Sequence, residues 1–213
     1  MINLSILIPT IVSRKGFLNR LLETLENQII QNALENKIEI LVSSDNREVP
    51  TGAKRNHLTR LASGKFRSFI DDDDLVSDSY CKSINDIIEE KGDQINYIGF
   101  NLKYIENGND GFKTAFHTLT KGHTSWCEDD AGYYRPINHL NPMKTDVARL
   151  ASFPDIVFGE DGQWCEEILK SNSVSTGTEH YINEIMYIYD CWTDKNREHS
   201  YSYTPKTEVI KYV

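Results

Sequence analysis

The chain has 213 residues, 39% of them hydrophobic, with 23 Lys and Arg set against 32 Asp and Glu for a formal net charge of −9. That length supports one substantial core or two small ones. The acidic balance excludes a global basic footprint for nucleic acid, although Lys54, Arg55, Arg60, Lys65 and Arg67 lie close enough in sequence to form a local phosphate-binding patch.

The N-terminus shows no basic lead and no small-residue cleavage site, and no apolar run approaches the ~20 residues that span a bilayer. Cys81, Cys127, Cys165 and Cys191 are widely spaced, with no CxxC pair. Free thiols in a reducing cytoplasm are therefore expected, and a structural zinc is not.

Residues 3 to 9, NLSILIP, are too short for a helix and read as a strand buried on both faces and ended by Pro9. Ser13 is placed to cap the next helix, where Phe17, Leu18, Leu21, Leu22 and Leu25 form one apolar stripe. Ile38 to Val42 is a second buried strand, followed by the polar cluster Ser43-Ser44-Asp45-Asn46. The strand–helix–strand order makes a βαβ unit and an at least partly parallel sheet.

Thr51 to Asn56 opens a second helix, with Ala53, His57, Leu58, Leu61 and Ala62 expected inside and Gly64 as its terminator. Phe66, Phe69 and Ile70 form a strand that runs directly into Asp71, Asp72, Asp73 and Asp74. Ser77 is expected to cap a helix carrying Tyr80, Ile84, Ile87 and Ile88 and ending at Gly92. Ile95 to Phe100 is a further strand. Leu102 to Ile105 continues it toward a turn at 107 to 111, with a return strand to Phe116.

Residues 117 to 135 are polar and irregular, with Trp126, Tyr133 and Tyr134 interspersed as core residues or as stacking platforms beside a cleft. Asn138 to Pro142 precedes a short helix over Thr145 to Ala151. Phe158-Gly159-Glu160-Asp161 leads into a helix carrying Trp164, Cys165, Ile168 and Leu169. A strand around Tyr181 to Tyr189 follows, and the chain ends polar, with Arg197, His199, Tyr201 and Tyr203.

Parallel sheets bind ligands at the carboxyl ends of their strands. That edge gathers Pro9, Thr10, Asp45 and Asp71 to Asp74. Four adjacent carboxylates repel one another, and oxygen ligands of this kind suit a hard divalent cation. The bland alternative is a solvated acidic turn whose last Asp caps a helix. Asp45 can accept hydrogen bonds from a ribose or an imide, or simply close an Asx turn. Lys54 and Arg55 at a helix start suit an anion, or form a solvated basic face. Glu160 and Asp161 either complement a helix dipole or supply a general base.

Taken together, ILIPTIVSRKGFLNRLLETLENQ, IEILVSSDN, GAKRN and ASGKFRSFIDDDD resemble a family 2 glycosyltransferase of the GT-A fold, over about residues 3 to 200. The resemblance implies a Rossmann-like, mostly parallel central sheet flanked by helices, with a small antiparallel extension on the acceptor side. It is expected as one domain over 1–213, with a donor half over 1–100 and an acceptor half with a C-terminal cap over 101–213. Pro9, Thr10, Asp45, Arg55, Asp71 and Asp72 are implied to hold the nucleotide sugar, and Asp73 the metal, with Asp74 in support. FGEDGQW is similar to the family's acceptor-side motif, so Asp161 is implied as the catalytic base, with Glu160, Trp126 and His139 on the acceptor side. His199 resembles a late metal- or diphosphate-binding histidine, but the usual spacing before it is replaced by the longer YDCWTDKNREH. Ser44 stands where many members have a further Asp.

The activity implied is an inverting transfer from a nucleotide-diphosphate sugar, UDP-linked by analogy, assisted by manganese or magnesium (Mn2+ or Mg2+). The acceptor is a hydroxyl on a glycan, a protein or a small molecule, with a modified DNA base disfavoured by the net charge. A nucleotidyltransferase would want a Gly-rich, basic loop after strand one, and PTIVSRKG has one Gly. A catalytically inactive sugar- or nucleotide-binding module is the other alternative, and it has no need of both an intact Asp71 to Asp74 and an intact Glu160-Asp161.

Overall fold

The structure is a computed structural model that describes residues 1–106, 109–110, 113–156, 159–191 and 202–213. It opens with β1 (Leu4–Ile11), a short 3-10 turn (Val12–Arg14), α1 (Lys15–Gln31), β2 (Ile38–Asp45) and α2 (Thr51–Leu61). Then come β3 (Phe66–Phe69), β4 (Leu75–Val76), α3 (Tyr80–Lys91), β5 (Tyr97–Glu106), β6 (Asn109–Asp110) and β7 (Thr114–His117). β8 (Cys127–Glu128), β9 (Gly132–Tyr134), β10 (Met143–Lys144), α4 (Thr145–Ala148), α5 (Glu160–Lys170), β11 (Glu179–Cys191) and β12 (Ile210–Tyr212) complete it.

The strands join one sheet in the order β12-β2-β1-β3-β10-β5-β7-β9-β8. β1 is parallel to β2 and β3, β12 is parallel to β2, and β11 is parallel to β5. β10 is antiparallel to both β3 and β5, and β7 leaves β5 antiparallel as the start of a small extension. The mostly parallel sheet with an antiparallel appendage is as expected.

Period-two alternation sends successive β-strand side chains to opposite faces. Leu4, Ile6 and Ile8 of β1 and Ile38, Ile40 and Val42 of β2 meet Leu18, Leu21, Leu22 and Leu25 of α1. Leu7, Leu41 and Phe69 face the other way, into a second core with Leu58, Phe153, Trp164 and Ile168. Helices on both faces explain why the first two strands read as unbroken apolar runs. Among the described residues no helix is long and apolar enough to cross a membrane.

Several local expectations change. β1 does not end at Pro9 but runs to Ile11. β3 pairs only as far as Leu7, so the missing Pro9 N–H costs no ladder bond on that side. Ser13 caps nothing; it lies in the 3-10 turn, and Arg14 precedes α1 without a side-chain cap. The helix expected from Ser77 starts at Tyr80, and Ser77 supplies a backbone carbonyl instead. The buried residues of α2 are Gly52, Lys54, Arg55, Leu58 and Thr59, while His57 and Leu61 are exposed. That helix buries charge because carboxylates receive it. The helix expected over 145 to 151 stops at Ala148, and the irregular 117 to 135 holds the β8–β9 pairing. The 107 to 111 turn, Phe158 and His199 lie wholly or partly outside the described residues.

Candidate active site

The carboxyl ends of β1, β2 and β3 open on one cleft of about 540 Å³, lined by Pro9, Thr10, Arg14, Val49, Lys54, Arg55 and Asp71 to Asp73, among others. Its size falls in the usual range for a small-molecule site. α2 enters with its first turn toward this cleft. Gly52 lets the same turn pack against the Pro154 segment, since a Cβ there would collide with the Pro154 carbonyl.

Asp45, Asp71, Asp72 and Asp73 on the cleft wall each meet a cation. Lys54, buried in α2, donates to the Thr10 carbonyl at 2.7 Å and also pairs with Asp45, tying β1 to β2. Asp45 in turn accepts the Val49 N–H at 2.6 Å. Burial works to raise the Asp45 carboxyl, but these bonds hold it below its ordinary value. Arg55 lies 3.1 Å from Asp71 and 3.0 Å from Glu160. The second contact lacks an aligned N–H···O bond, so charge rather than hydrogen-bond geometry holds Glu160. Arg55 therefore links the acidic run to the start of α5.

Arg14 lies 3.0 Å from Asp72 and also contacts Asp73. Asp72 is only 2% exposed and accepts a hydrogen bond from the Thr10 hydroxyl. Burial, with its neighbours Asp73 and Asp71, pushes its carboxyl up to about 7 against the pull of Arg14 and Thr10. Burial likewise raises Asp73, offset by Arg14. Asp74 points away from the cleft. It accepts from the Tyr187 hydroxyl at 2.6 Å and the Asp190 N–H at 3.0 Å, and burial raises it well above the ordinary range. Arg20 closes the back of the run, donating to the Asp73 carbonyl at 2.6 Å and pairing with Asp190 at 3.0 Å.

Among the described residues no three His, Cys, Asp or Glu side chains converge as a metal-holding set. Asp73 is nonetheless partly open to the cleft, and Arg14 opposes its repulsion with Asp72. One or two carboxylates completed by phosphate oxygens is the ordinary way magnesium is held. The donor set therefore fits an ion brought with a diphosphate and not a closed protein cage.

On the far side of Arg55, Asp161 occupies the first turn of α5 behind Gly159, whose φ of 82° is the left-handed turn into the helix. Its Oδ2 lies 3.6 Å from His139 Nδ1. Burial, with Arg55 and Arg67 nearby, drives His139 well below its ordinary value, so this imidazole is neutral and the contact is no ion pair. Neither His139 nitrogen has a hydrogen-bond partner among the described residues. Trp126 is 40% exposed, donates to the Ile137 carbonyl at 3.1 Å and carries Arg135 over its ring. Neither Trp126 nor Asp161 lines the cleft.

Of the residues singled out in the sequence, the cleft thus gathers Pro9, Thr10, Arg55, Asp71, Asp72 and Asp73, with Asp45 bonded to its wall through Lys54. Glu160, Asp161 and His139 form a neighbouring group joined through Arg55. Sequence reasoning missed Arg14, the basic residue after strand one, and Tyr189, which reaches the cleft from β11.

The sheet order, the flanking helices and the acidic run after β3 define a GT-A-like α/β fold. No protein-family model and no curated protein sequence matches the chain. Solved structures do. The structure of S. aureus TarS 1-349 in complex with UDP-GlcNAc matches with a TM-score of 0.65 at 15% identity, covering 95% of this chain and 62% of that one. Its complex with UDP matches at 0.62 and 16% identity, over 89% and 60% of the two chains. A longer S. aureus TarS structure matches at 0.61, covering 37% of its own length. At such identity the likeness speaks for the fold, and this chain spans about 60% of the TarS 1-349 structures.

Proposed function

We propose that the protein is a glycosyltransferase of the family 2 type that moves a sugar from a UDP-linked donor to a hydroxyl acceptor with inversion. The observation that carries the reading is the cleft at the ends of β1, β2 and β3, where Asp45, Lys54, Arg55, Arg14 and the run Asp71 to Asp73 converge. The likeness to structures of a protein that binds UDP-GlcNAc and UDP supports it.

In this reading residues 1–100 form the donor half and 101–213 the acceptor half. Asp45 accepts hydrogen bonds from the nucleoside, and Pro9 and Thr10 form the floor beneath it. Asp71 contacts the donor ribose or sugar, oriented by Arg55. Arg14 and Lys54 supply positive charge near the phosphates. A manganese or magnesium ion held by Asp73 and diphosphate oxygens would offset the charge that develops on the leaving group. Asp161 takes the proton of the acceptor hydroxyl, whose oxygen attacks the anomeric carbon as the bond to the diphosphate oxygen breaks. Glu160 and His139 orient the acceptor, with Trp126 at its outer edge. A single base opposite a diphosphate leaving group gives one displacement and therefore inversion.

The test is UDP release from a panel of UDP-sugars with glycan, peptide and small-molecule acceptors. Acceptor-dependent release that disappears in Asp161→Asn supports the assignment. Tight UDP binding without turnover on any acceptor turns the reading toward a binding module, and absence of UDP binding removes it.

A further inference from the structure

Cys127 on β8 and His123 in the loop before it form a second chemical centre, outside the cleft. The Cys127 sulfur lies 3.1 Å from His123 Nδ1. The imidazole is held in place, its ring centroid 4.0 Å from that of Tyr134 on β9. The Tyr134 hydroxyl donates to both oxygens of Asp129 at 3.2 Å, and Asp129 is anchored by the Ala131 and Gly132 N–H groups. A nucleophile within reach of a base, with that base oriented by a further group, is the arrangement that activates a thiol. Arg135 donates to the Cys127 carbonyl at 3.3 Å, which fixes the backbone of β8 at the thiol.

Access fits as well. Cys127 and His123 are half-buried, and residues 124–126 and 128–131 around them are exposed. Cys81 and Cys165 are buried, and burial pushes the Cys81 thiol up to about 12. No third ligand completes a metal-holding set at the pair among the described residues.

We infer that Cys127 is a thiol-modification site, with His123 as its base, that exchanges with small disulfides. His123 Nδ1 accepts the thiol proton. The Cys127 thiolate then attacks one sulfur of the disulfide, the S–S bond breaks, and the departing thiolate takes the proton from the imidazolium. The disulfide is the only oxidant the exchange needs. The site does not depend on the activity proposed for the cleft.

The experiment exposes the folded protein to dithionitrobenzoate, follows the release of thionitrobenzoate and maps the adduct by peptide mass. The expected result is one fast thiol that maps to Cys127, disappears in Cys127→Ser and persists in Cys191→Ser. His123→Ala and His123→Gln, the latter keeping a polar group of similar reach to support the loop, should both slow that thiol by about tenfold or more. A fast thiol that maps to Cys191, or an adduct at Cys127 that forms at the wild-type rate in both His123 variants, overturns the inference. So does a folded protein whose thiols all react only on unfolding.

Discussion

The two sides of Arg55 are built on opposite electrostatic terms. On the cleft side, Asp45, Asp71, Asp72 and Asp73 each face Lys54, Arg55 or Arg14. On the other side, buried donors lack acceptors. Arg67 is 0% exposed, gives one bond to the His139 carbonyl and otherwise lies over the Phe69 and Trp164 rings. His139 and the Trp164 indole N–H have no hydrogen-bond partner among the described residues. Burial, with Arg55 nearby, brings Arg67 down to about 9. The first region carries an excess of acid that cations restrain. The second carries an excess of donors beside Asp161, which is more open than the neighbouring Glu160. Under the proposed function, anion binding falls to the cations of the cleft and proton transfer to the open carboxylate across from it.

Two buried groups, Asp72 and His117, titrate in opposite senses. A carboxyl raised to about 7, such as Asp72, binds its proton more tightly in the folded state, so its contribution to stability falls as pH rises from about 4 to about 7. His117 is buried, bonded to Asn141 at 2.9 Å and lowered by burial to about 4. The unfolded chain protonates this histidine first, so stability is lost as pH falls from about 6.5 to about 4.

The largest expected consequence of this contrast is chemical. Asp161→Asn should lower transfer by ~10²–10⁴-fold while leaving UDP affinity unchanged. Steady-state rates set beside calorimetric titration check it, and near-normal transfer would take the base role from Asp161. Next is the joint between the regions. Arg55→Met leaves Asp71 and the buried Glu160 uncompensated and should cost roughly 3–5 kcal/mol in urea unfolding. Adding Glu160→Gln should recover part of that loss; a double variant no better than the single would separate Glu160 from Arg55.

The acid limb follows. His117→Gln should flatten the loss of stability between about pH 6.5 and pH 4, a term on the order of 3 kcal/mol. Parallel pH curves for the two proteins would rule out His117 as its source. The smallest effect is at the cleft mouth. Arg14 occupies carboxylates that an added cation would use, so Arg14→Gln should bind free manganese roughly two- to fivefold more tightly, in the range an exposed ion pair is worth. Weaker manganese binding in that variant would contradict the competition.

Much of the cleft was legible in the sequence. β1, β2 and β3 are buried on both faces and announce themselves as apolar runs, and the acidic run and Asp45 follow them at the sheet edge where parallel topology puts ligands. The inner face of α2 was not legible, because apolar periodicity assumes that buried means hydrophobic, and Lys54 and Arg55 are buried by ion pairing. Arg14 was hidden for a related reason. The expected cap at Ser13 would have made the segment a simple helix start, whereas the 3-10 turn brings the next side chain over Asp72 and Asp73. The region of β8, β9 and β10 read poorly because these strands are two or three residues long, too short for any period to show. The charge environment of Arg67 and His139 comes entirely from residues distant in sequence.

The most direct test of the cleft is thermal unfolding with UDP, with and without manganese, in the wild type and in Asp73→Ala. A ligand that binds only the folded state stabilises it by mass action, ~2.7 kcal/mol at a hundredfold excess over its dissociation constant. The account predicts a rise in melting temperature with UDP that grows when manganese is present and loses that added part in Asp73→Ala. An unchanged melting temperature with UDP and with every other nucleoside diphosphate, manganese present, would contradict it and return Asp71 to Asp74 to the role of an acidic turn.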